Sequence, residues 1–306
     1  MKHIRINIEA VLAALTFGLS AVVTWHVFTI GMMKALVDEN SHLNLARQMF
    51  DSITPGLSQI GFWPPLLHIV MAPAAYFDPL YYSGLAGYVI LAPALVLAAI
   101  YLYRICFMIS NNQTVSLWGV ILFVSSPFIL YYTATPMMEV LFLTFLFGAT
   151  YYMLLWLSDN TLRNLIMAGL FVSLATLSRF EGIFVIPISI LIVLAQSLRI
   201  RKKYSEIEAV ALIFGIVSVI GFGFLLGYGY IYGGNPFSFS SSQWSAFNQQ
   251  RDYLLPTQGS WITSLIYLMY ASFHVIGYPL IIIGLVLFVI SISVFNSDSK
   301  FAISCK

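Results

Sequence analysis

The chain has 306 residues, of which 60% are hydrophobic and only 8% are charged, with a formal net charge of +2. Soluble domains carry roughly 25% charged residues, so this composition excludes a soluble globular protein and predicts an all-α integral membrane protein. Long continuous apolar runs favour helices over an alternating transmembrane barrel. The total charge by itself says nothing about nucleic acid, and we expect no nucleic-acid partner.

The first predicted span covers about residues 11–33 and follows a basic amino terminus. It is longer than the roughly 7–15 residues of a signal-peptide core, so we expect an uncleaved helix that starts in the cytoplasm. Later apolar runs predict spans at 80–105, 114–133, 138–157, 162–178, 183–199, 206–231 and 261–292. The chain, residues 1–306, is therefore predicted to form one domain of about eight transmembrane helices, with no separate soluble domain.

Residues 63–77 decide which loops share a side of the membrane. This apolar stretch is short and contains prolines, and runs of about 10–14 apolar residues are typical of interfacial or re-entrant segments. If it lies in the interface, Arg104, Arg163 and the basic run 199–203 all fall in the cytoplasm together with both termini. The acidic loops then lie on the extracytoplasmic face, which we expect to be the active face.

The first external loop, 34–79, is predicted to carry a juxtamembrane amphipathic helix over residues 38–53, and a second external loop covers 233–260. Apolar residues at steps of three and four predict one stripe that faces the membrane lipid: Leu43, Ala46, Phe50 and Ile53. Asp38 and His42 are four residues apart, so we expect them above one another on a different face of this helix.

Asp38 and Glu39 are adjacent carboxylates in a chain with few charges. A carboxylate at the membrane face is placed to act as a general base that takes the proton of an acceptor hydroxyl. An alternative role is to bind a divalent cation, Mg²⁺ or Mn²⁺, held by a substrate phosphate. The structural alternative is a helix cap, since Asp is favoured at that position.

Further polar groups are predicted on the same side of the membrane. His68 follows two prolines and is either part of an interfacial anchor or a ligand for a lipid-linked phosphate. Glu139 begins an apolar helix, where it either complements the helix dipole or binds sugar hydroxyls or a metal. Arg179 and Glu181 lie between two apolar runs and form either a structural ion pair or a phosphate site, since arginine binds phosphate in a bidentate manner.

Five short motifs occur in an order that resembles a known family. They are the DE pair at 38–39 with AR at 46–47, WPPLLH at 63–68, TPMME at 135–139, SRFEG at 178–182 and YGGNPF at 232–237. The set resembles the polytopic GT-C glycosyltransferases, which use polyprenyl- or dolichyl-phosphate sugars. It is most similar to the branch of the protein O-mannosyltransferases and the aminoarabinose lipid A transferase.

The resemblance implies roles for residues of both external loops. Asp38 would be the catalytic carboxylate, with Glu39 beside it. The donor phosphate or sugar would be bound by Arg47, His68, Glu139, Arg179 and Glu181, and the later loop would contribute Asn235, Gln243 and Trp244. A divalent cation, if one is used, would bind Asp38 and Glu139. At the position of His42 such sequences often carry an aromatic residue.

The expected function is transfer of a sugar from a polyprenyl- or dolichyl-phosphate donor to a hydroxyl on a protein, lipid or glycan, with inversion and with Asp38 as the base. Two alternatives stay open: a transporter or flippase for lipid-linked sugars, and an inactive partner subunit of a glycosylation complex. Transporters place ionisable groups near the midplane of repeated halves. This sequence shows no internal repeat and groups its ionisable residues near one face, which favours the enzyme.

Overall fold

The structure is a computed structural model that describes residues 7–200, 203–243, 245, 248, 257 and 259–276. The described residues are helical and contain no strand, so the predicted all-α class is confirmed. They fall into two compact units that divide after Ser242. The single transmembrane domain predicted for the whole chain stays a prediction.

The helices of the first unit are α1 (Ile8–Thr29), α2 (Val37–Gln48), α3 (Leu66–Ala75), α4 (Asp78–Ser83), α5 (Ala86–Ser110), α6 (Gln113–Val124), α7 (Pro127–Ala134), α8 (Glu139–Asp159), α9 (Leu162–Ser178), α10 (Gly182–Arg199), α11 (Tyr204–Gly233) and α12 (Ser238–Ser241). A 3₁₀ turn at Leu57–Ile60 precedes α3. In the second unit, the described helix is α13 (Trp261–Ile276). The rest of the predicted span 261–292 lies outside the described residues.

Within the described residues, five helices are long and apolar enough to cross a membrane: α1, α5, α8, α10 and α11. The pair α6 and α7 makes a sixth candidate if its two bent halves are counted as one span. The predicted count of about eight is therefore not confirmed. One reason is that α9 has only 17 residues, although it runs back along α8 from the Asn160 turn.

The predicted span 114–133 is broken in the middle, where α6 and α7 meet at an angle of 60°. The break falls at residues 125–127, where two serines precede Pro127, the first residue of α7. Proline lacks the N–H that would continue α6, and its fixed φ suits the first position of a new helix. The bend therefore has a local chemical cause.

The predicted amphipathic helix over 38–53 is shorter than expected and buries its stripe in protein. It ends at Gln48, after which the Arg47 carbonyl accepts backbone hydrogen bonds from Phe50 and Asp51 at 3.0 Å. Leu43 and Ala46 are buried in a core shared with α3 and α5. Phe50 lies beyond the helix and is exposed, as is Ile53. Leu43 and Ala46 thus anchor α2 to the helix bundle. The prediction that the stripe contacts membrane lipid is wrong for these two residues.

Ion pairs and close contacts show which helix ends lie together. Glu9 of α1 pairs with Arg104 of α5 at 2.7 Å, so these helices are antiparallel. At their other ends, Lys34 Nζ donates to the Tyr82 carbonyl at 3.0 Å. The end of α9 lies beside the start of α8, because Arg179 binds Glu139. We call this second end of the helices, which also carries α2 and α3, the site end.

The turn between α9 and α10 at the site end is packed without space for a larger residue. A Cβ atom on Gly182 would lie 2.5 Å from the Cα and backbone nitrogen of Thr176. Backbone atoms cannot move aside as a flexible side chain does, so the first residue of α10 is restricted to glycine. This contact fixes Arg179 and Glu181, the two charged residues of the turn.

We expect Gly182→Ala to lower the free energy of unfolding by roughly 1–3 kcal/mol, as overpacking does in other cores. The matched control is Gly215→Ala in α11, where an added Cβ would meet nothing within 4 Å. That change should be neutral or stabilise the helix by about 0.5–1 kcal/mol. Denaturant unfolding in detergent measures both, and equal effects of the two changes would contradict the packing argument.

Candidate active site

A cavity of about 380 Å³ opens at the site end of the first unit. Four segments form it: α2, the residues just before α3, the start of α8 and the turn between α9 and α10. Its lining residues are Asp38, His42, Trp63, Pro64, Met137, Met138, Glu139, Arg179, Phe180, Glu181 and Phe184. Four residues that the sequence predicts for the site therefore meet in one place: Asp38, Glu139, Arg179 and Glu181.

Asp38 is an exposed carboxylate in the first turn of α2. It makes no hydrogen bond or ion pair with any residue in the described part of the chain. His42 follows one turn later and lines the same cavity, as the spacing of four predicts. Asp38 is therefore available to accept a proton from a molecule in the cavity.

Glu39 has a different role from its neighbour. It is fully buried, and its Oε2 accepts a hydrogen bond from the Leu36 backbone N–H at 2.8 Å, which caps the start of α2. Its Oε1 is buried and has no hydrogen-bond partner among the described residues. Glu39 does not line the cavity, so a substrate in the cavity does not reach its carboxylate. The structure therefore supports a positioning role for Glu39.

Arg179 is held between two carboxylates. Its Nε and Nη2 donate to the two oxygens of Glu181 at 3.2 and 2.8 Å, and its Nη1 donates to Oε1 of Glu139. The hydrogen bond from Arg179 lowers the pKa of the Glu181 carboxyl. Glu139 Oε2 is buried without a hydrogen-bond partner in the part of the chain that the structure describes. Two N–H groups of Arg179 are left for a ligand.

His42 and His68 form a buried pair that sequence reasoning missed. His42 Nδ1 lies 2.9 Å from His68 Nε2, and His68 Nδ1 lies 3.2 Å from the Pro64 carbonyl. Burial lowers the pKa of His42 to about 3, helped by His68 and the Arg179 charge, and lowers that of His68 to about 4. His68 is fully buried and lies behind the cavity lining, so it is not placed to bind phosphate directly.

Arg47 lies outside the cavity lining, in a separate cluster that joins α2 to α3 and α4. It pairs with Asp51 at 3.0 Å and Asp78 at 2.8 Å. It also donates to the carbonyls of Ala75 and Tyr76 at 3.1 and 2.6 Å. With four of its five N–H groups used in this way, Arg47 has the contacts of a structural residue.

Among the described residues of the first unit, those of the later loop do not line the cavity. Asn235 is exposed, and its Oδ1 accepts from the Phe237 backbone N–H at 3.0 Å within the turn after α11. Gln243 is exposed and belongs to the second unit. Trp244 lies outside the described residues.

Lys34 is a cation at the site end that the sequence analysis did not single out. It lies four residues before Asp38 and donates to a backbone carbonyl. Among the described residues it has no carboxylate partner, unlike Arg47 and Arg179. In the sequence, the feature that points to Lys34 is its position in the short link between the first predicted span and the acidic pair Asp38 and Glu39.

The divalent cation predicted at Asp38 and Glu139 stays a prediction, although both residues line the cavity. The described residues contain no group of three or more His, Cys, Asp or Glu side chains that could hold a metal ion. Of the two predicted ligands, Glu139 already gives one oxygen to the guanidinium of Arg179. We therefore derive no step through a metal.

Comparison with protein families adds independent information on residues 82–229, just under half of the chain. They match the family model of the dolichyl-phosphate-mannose-protein mannosyltransferases. The match fits a membrane glycosyltransferase of the GT-C superfamily. This confirms the resemblance that the motifs indicate. No curated protein and no solved structure matches the chain.

The family match covers only part of the cavity. Glu139, Arg179 and Glu181 lie inside the matched segment, whereas Asp38 and His42 precede it. The match therefore supports the glycosyltransferase class, while the role of Asp38 rests on its sequence context and on its place in the cavity.

The buried histidine pair predicts that stability falls in mild acid. An unfolded histidine has a pKa of about 6.5. In the folded chain, His42 and His68 bind a proton only near pH 3 and pH 4. Below pH 6.5 the unfolded chain therefore binds more protons than the folded chain. Stability should fall as the pH drops from 6.5 towards 4, by up to about 1.4 kcal/mol per pH unit for each histidine.

The measurement is denaturant unfolding in detergent at a series of pH values. The double variant His42→Phe, His68→Phe should show a shallower loss of stability over this range than the unaltered chain. His26→Phe serves as the control, because His26 is exposed. Identical pH profiles for the double variant and the unaltered chain would refute the prediction.

Proposed function

We propose that this protein transfers a sugar from a polyprenyl- or dolichyl-phosphate donor to a hydroxyl acceptor on a protein, lipid or glycan. Asp38 is the general base, and the reaction inverts the anomeric carbon. The observation that carries the proposal is the unpartnered Asp38 carboxylate in one cavity with Arg179, whose segment matches a family of lipid-linked sugar transferases.

The reaction is a single displacement. The acceptor hydroxyl gives its proton to the Asp38 carboxylate while its oxygen forms a bond to the anomeric carbon of the donor sugar. The bond between that carbon and the phosphate oxygen breaks, and the lipid phosphate leaves with the electron pair. Attack from the side opposite the leaving group inverts the configuration. General-base catalysis of this kind contributes roughly 10²–10⁴-fold to a rate.

The leaving phosphate needs positive charge, and two residues supply it in this proposal. Arg179 retains two N–H groups beyond those bound to Glu139 and Glu181, so it can stabilise charge that develops on the phosphate. Lys34 is the second, because no carboxylate within the described residues neutralises it. A lipid tail in the bilayer keeps the phosphate at the rim of the cavity, outside the cluster of carboxylates.

We further propose that the site end faces the extracytoplasmic side and that both termini are cytoplasmic. Arg104 near the end of α5, Arg163 in the first turn of α9 and Arg199 at the end of α10 all lie at the opposite ends of these helices. Basic residues next to spans favour the cytoplasmic side. This supports the orientation in which a translocated lipid-linked sugar meets Asp38.

Removal of the base should abolish most of the transfer. We expect Asp38→Asn to reduce kcat at least about 100-fold, measured as transfer of labelled mannose from polyprenyl-phosphate mannose to acceptors in proteoliposomes. Asp51→Asn is the control, since Asp51 is an exposed carboxylate of the same loop outside the cavity. Full activity of Asp38→Asn would rule out Asp38 as the base. Movement of the lipid-linked sugar across the bilayer without any product would favour the transporter instead.

Glu39 should behave differently from Asp38. In Glu39→Gln the amide oxygen can still accept the hydrogen bond from Leu36, so α2 should stay capped and much of the activity should remain. Glu39→Ala removes the cap and should lower stability by about 1 kcal/mol or more. A loss of activity in Glu39→Gln as large as that in Asp38→Asn would show that both carboxylates take part in the chemistry.

Loss of the Lys34 charge should weaken donor binding. We expect Lys34→Met to raise KM for the lipid-linked donor roughly ten-fold, the scale of a lost charge-assisted hydrogen bond. Lys203→Met is the control, because Lys203 is exposed and precedes α11 at the opposite end. An unchanged KM in Lys34→Met would exclude this lysine from phosphate binding.

A further inference from the structure

The hydrogen bonds of His68 determine which of its nitrogens carries a proton. The Pro64 carbonyl can only accept, so Nδ1 of His68, 3.2 Å away, carries the hydrogen. A neutral His68 then has a lone pair on Nε2, and this lone pair accepts from His42 Nδ1 at 2.9 Å. In the neutral state of His42, its other nitrogen, Nε2, is therefore an acceptor without a hydrogen.

Both histidines are neutral near physiological pH because burial lowers their pKa values, to about 3 for His42 and about 4 for His68. The ring of His42 is also fixed in space. Trp63 packs edge-on against it with ring centroids 4.8 Å apart, and the bond to His68 holds its other side. The tautomer and the orientation of His42 are thus set by surrounding contacts.

His42 is 2% exposed, yet it lines the cavity. Its Nε2 has no hydrogen-bond partner within the described part of the chain. This nitrogen opens onto the cavity, so a ligand that displaces water from it has to offer a hydrogen bond or leave the acceptor unpaired at a cost. A group that enters the cavity and carries an O–H would satisfy it, whereas a phosphate oxygen, which offers only lone pairs, would be repelled.

We propose that His42 Nε2 accepts a hydrogen bond from a hydroxyl of the donor sugar and so selects sugars that carry that hydroxyl. This inference rests on the proposed function and specifies how the same cavity recognises the sugar. The donor is the better partner than the acceptor because Asp38, which must meet the acceptor, is exposed, whereas His42 lies buried one turn further along α2.

The test uses the full chain in proteoliposomes and polyprenyl-phosphate mannose donors in which each sugar hydroxyl is replaced in turn by hydrogen. For the unaltered chain, one of these deoxy donors should lose kcat/KM about ten-fold or more beyond the others, the scale of one lost hydrogen bond. His42→Phe keeps a ring of similar shape without the acceptor. It should lose activity with the complete donor and no longer discriminate against that one deoxy donor.

Two controls separate recognition from general damage. His26→Phe, an exposed histidine of α1, should leave the pattern of discrimination unchanged. His68→Phe removes the partner that fixes the His42 tautomer and should weaken the discrimination without abolishing transfer. If His42→Phe lowers kcat/KM equally for all donors, His42 is structural and the inference is overturned.

The inference can fail separately from the proposed function. If the unaltered chain transfers no sugar, calorimetric binding of the same donors in detergent replaces the kinetics, and equal affinity losses in the unaltered chain and His42→Phe overturn the role of His42. Nitrogen-15 NMR of labelled histidine checks the tautomer directly. We expect His42 and His68 to carry hydrogen on Nδ1 alone at pH 7, and a hydrogen on His42 Nε2 would overturn the inference.

Discussion

The guanidinium of Arg179 binds Glu139 at the start of α8 and Glu181 just before α10, while Arg179 itself ends α9. In a chain with only 8% charged residues, an arginine at the end of apolar helices is tolerated where carboxylates pair with it. The three helix ends are therefore tied to one charge. Close packing of Gly182 against the backbone of Thr176 also fixes the turn that carries Arg179 and Glu181.

The opposite wall of the cavity is built on α2, and two sets of contacts fix its position. The Glu39 carboxylate caps the start of the helix, and Arg47 joins its last turn to α3 and α4. Asp38 takes part in neither contact and has no partner among the described residues, because Glu39 caps the helix. The proximity of the two acidic residues in the sequence thus reflects a division of roles, with one side chain inside the fold and the other in the cavity.

Local patterns predicted the helical class and the meeting of Asp38, Glu139, Arg179 and Glu181, because helix ends in an antiparallel bundle must lie together. The side of the membrane that these turns face stays a prediction. Local patterns did not predict the pairing of His42 with His68, which are 26 residues apart and meet only through packing of α2 on α3. They also overextended α2 to residue 53, since spacing cannot show where the chain turns. The sequence also predicts Arg47 as a ligand. Asp51 lies only four residues away, but the second partner, Asp78, lies in a separate segment that packing brings near.

The cavity joins a segment that the family model recognises to one that precedes it. Glu139 and Arg179 belong to residues 82–229, whereas Asp38, His42 and Trp63 form the other wall. In the proposed reaction the donor sugar lies between these walls and contacts both. The matched family is named for a mannosyl donor, and its match includes only the first wall. Under our proposal, the choice of sugar hydroxyls depends on the second wall as well. In this chain the second wall carries His42 one turn after Asp38, the proposed base, so under our proposal the identity of the sugar depends on His42 as well as on the matched segment.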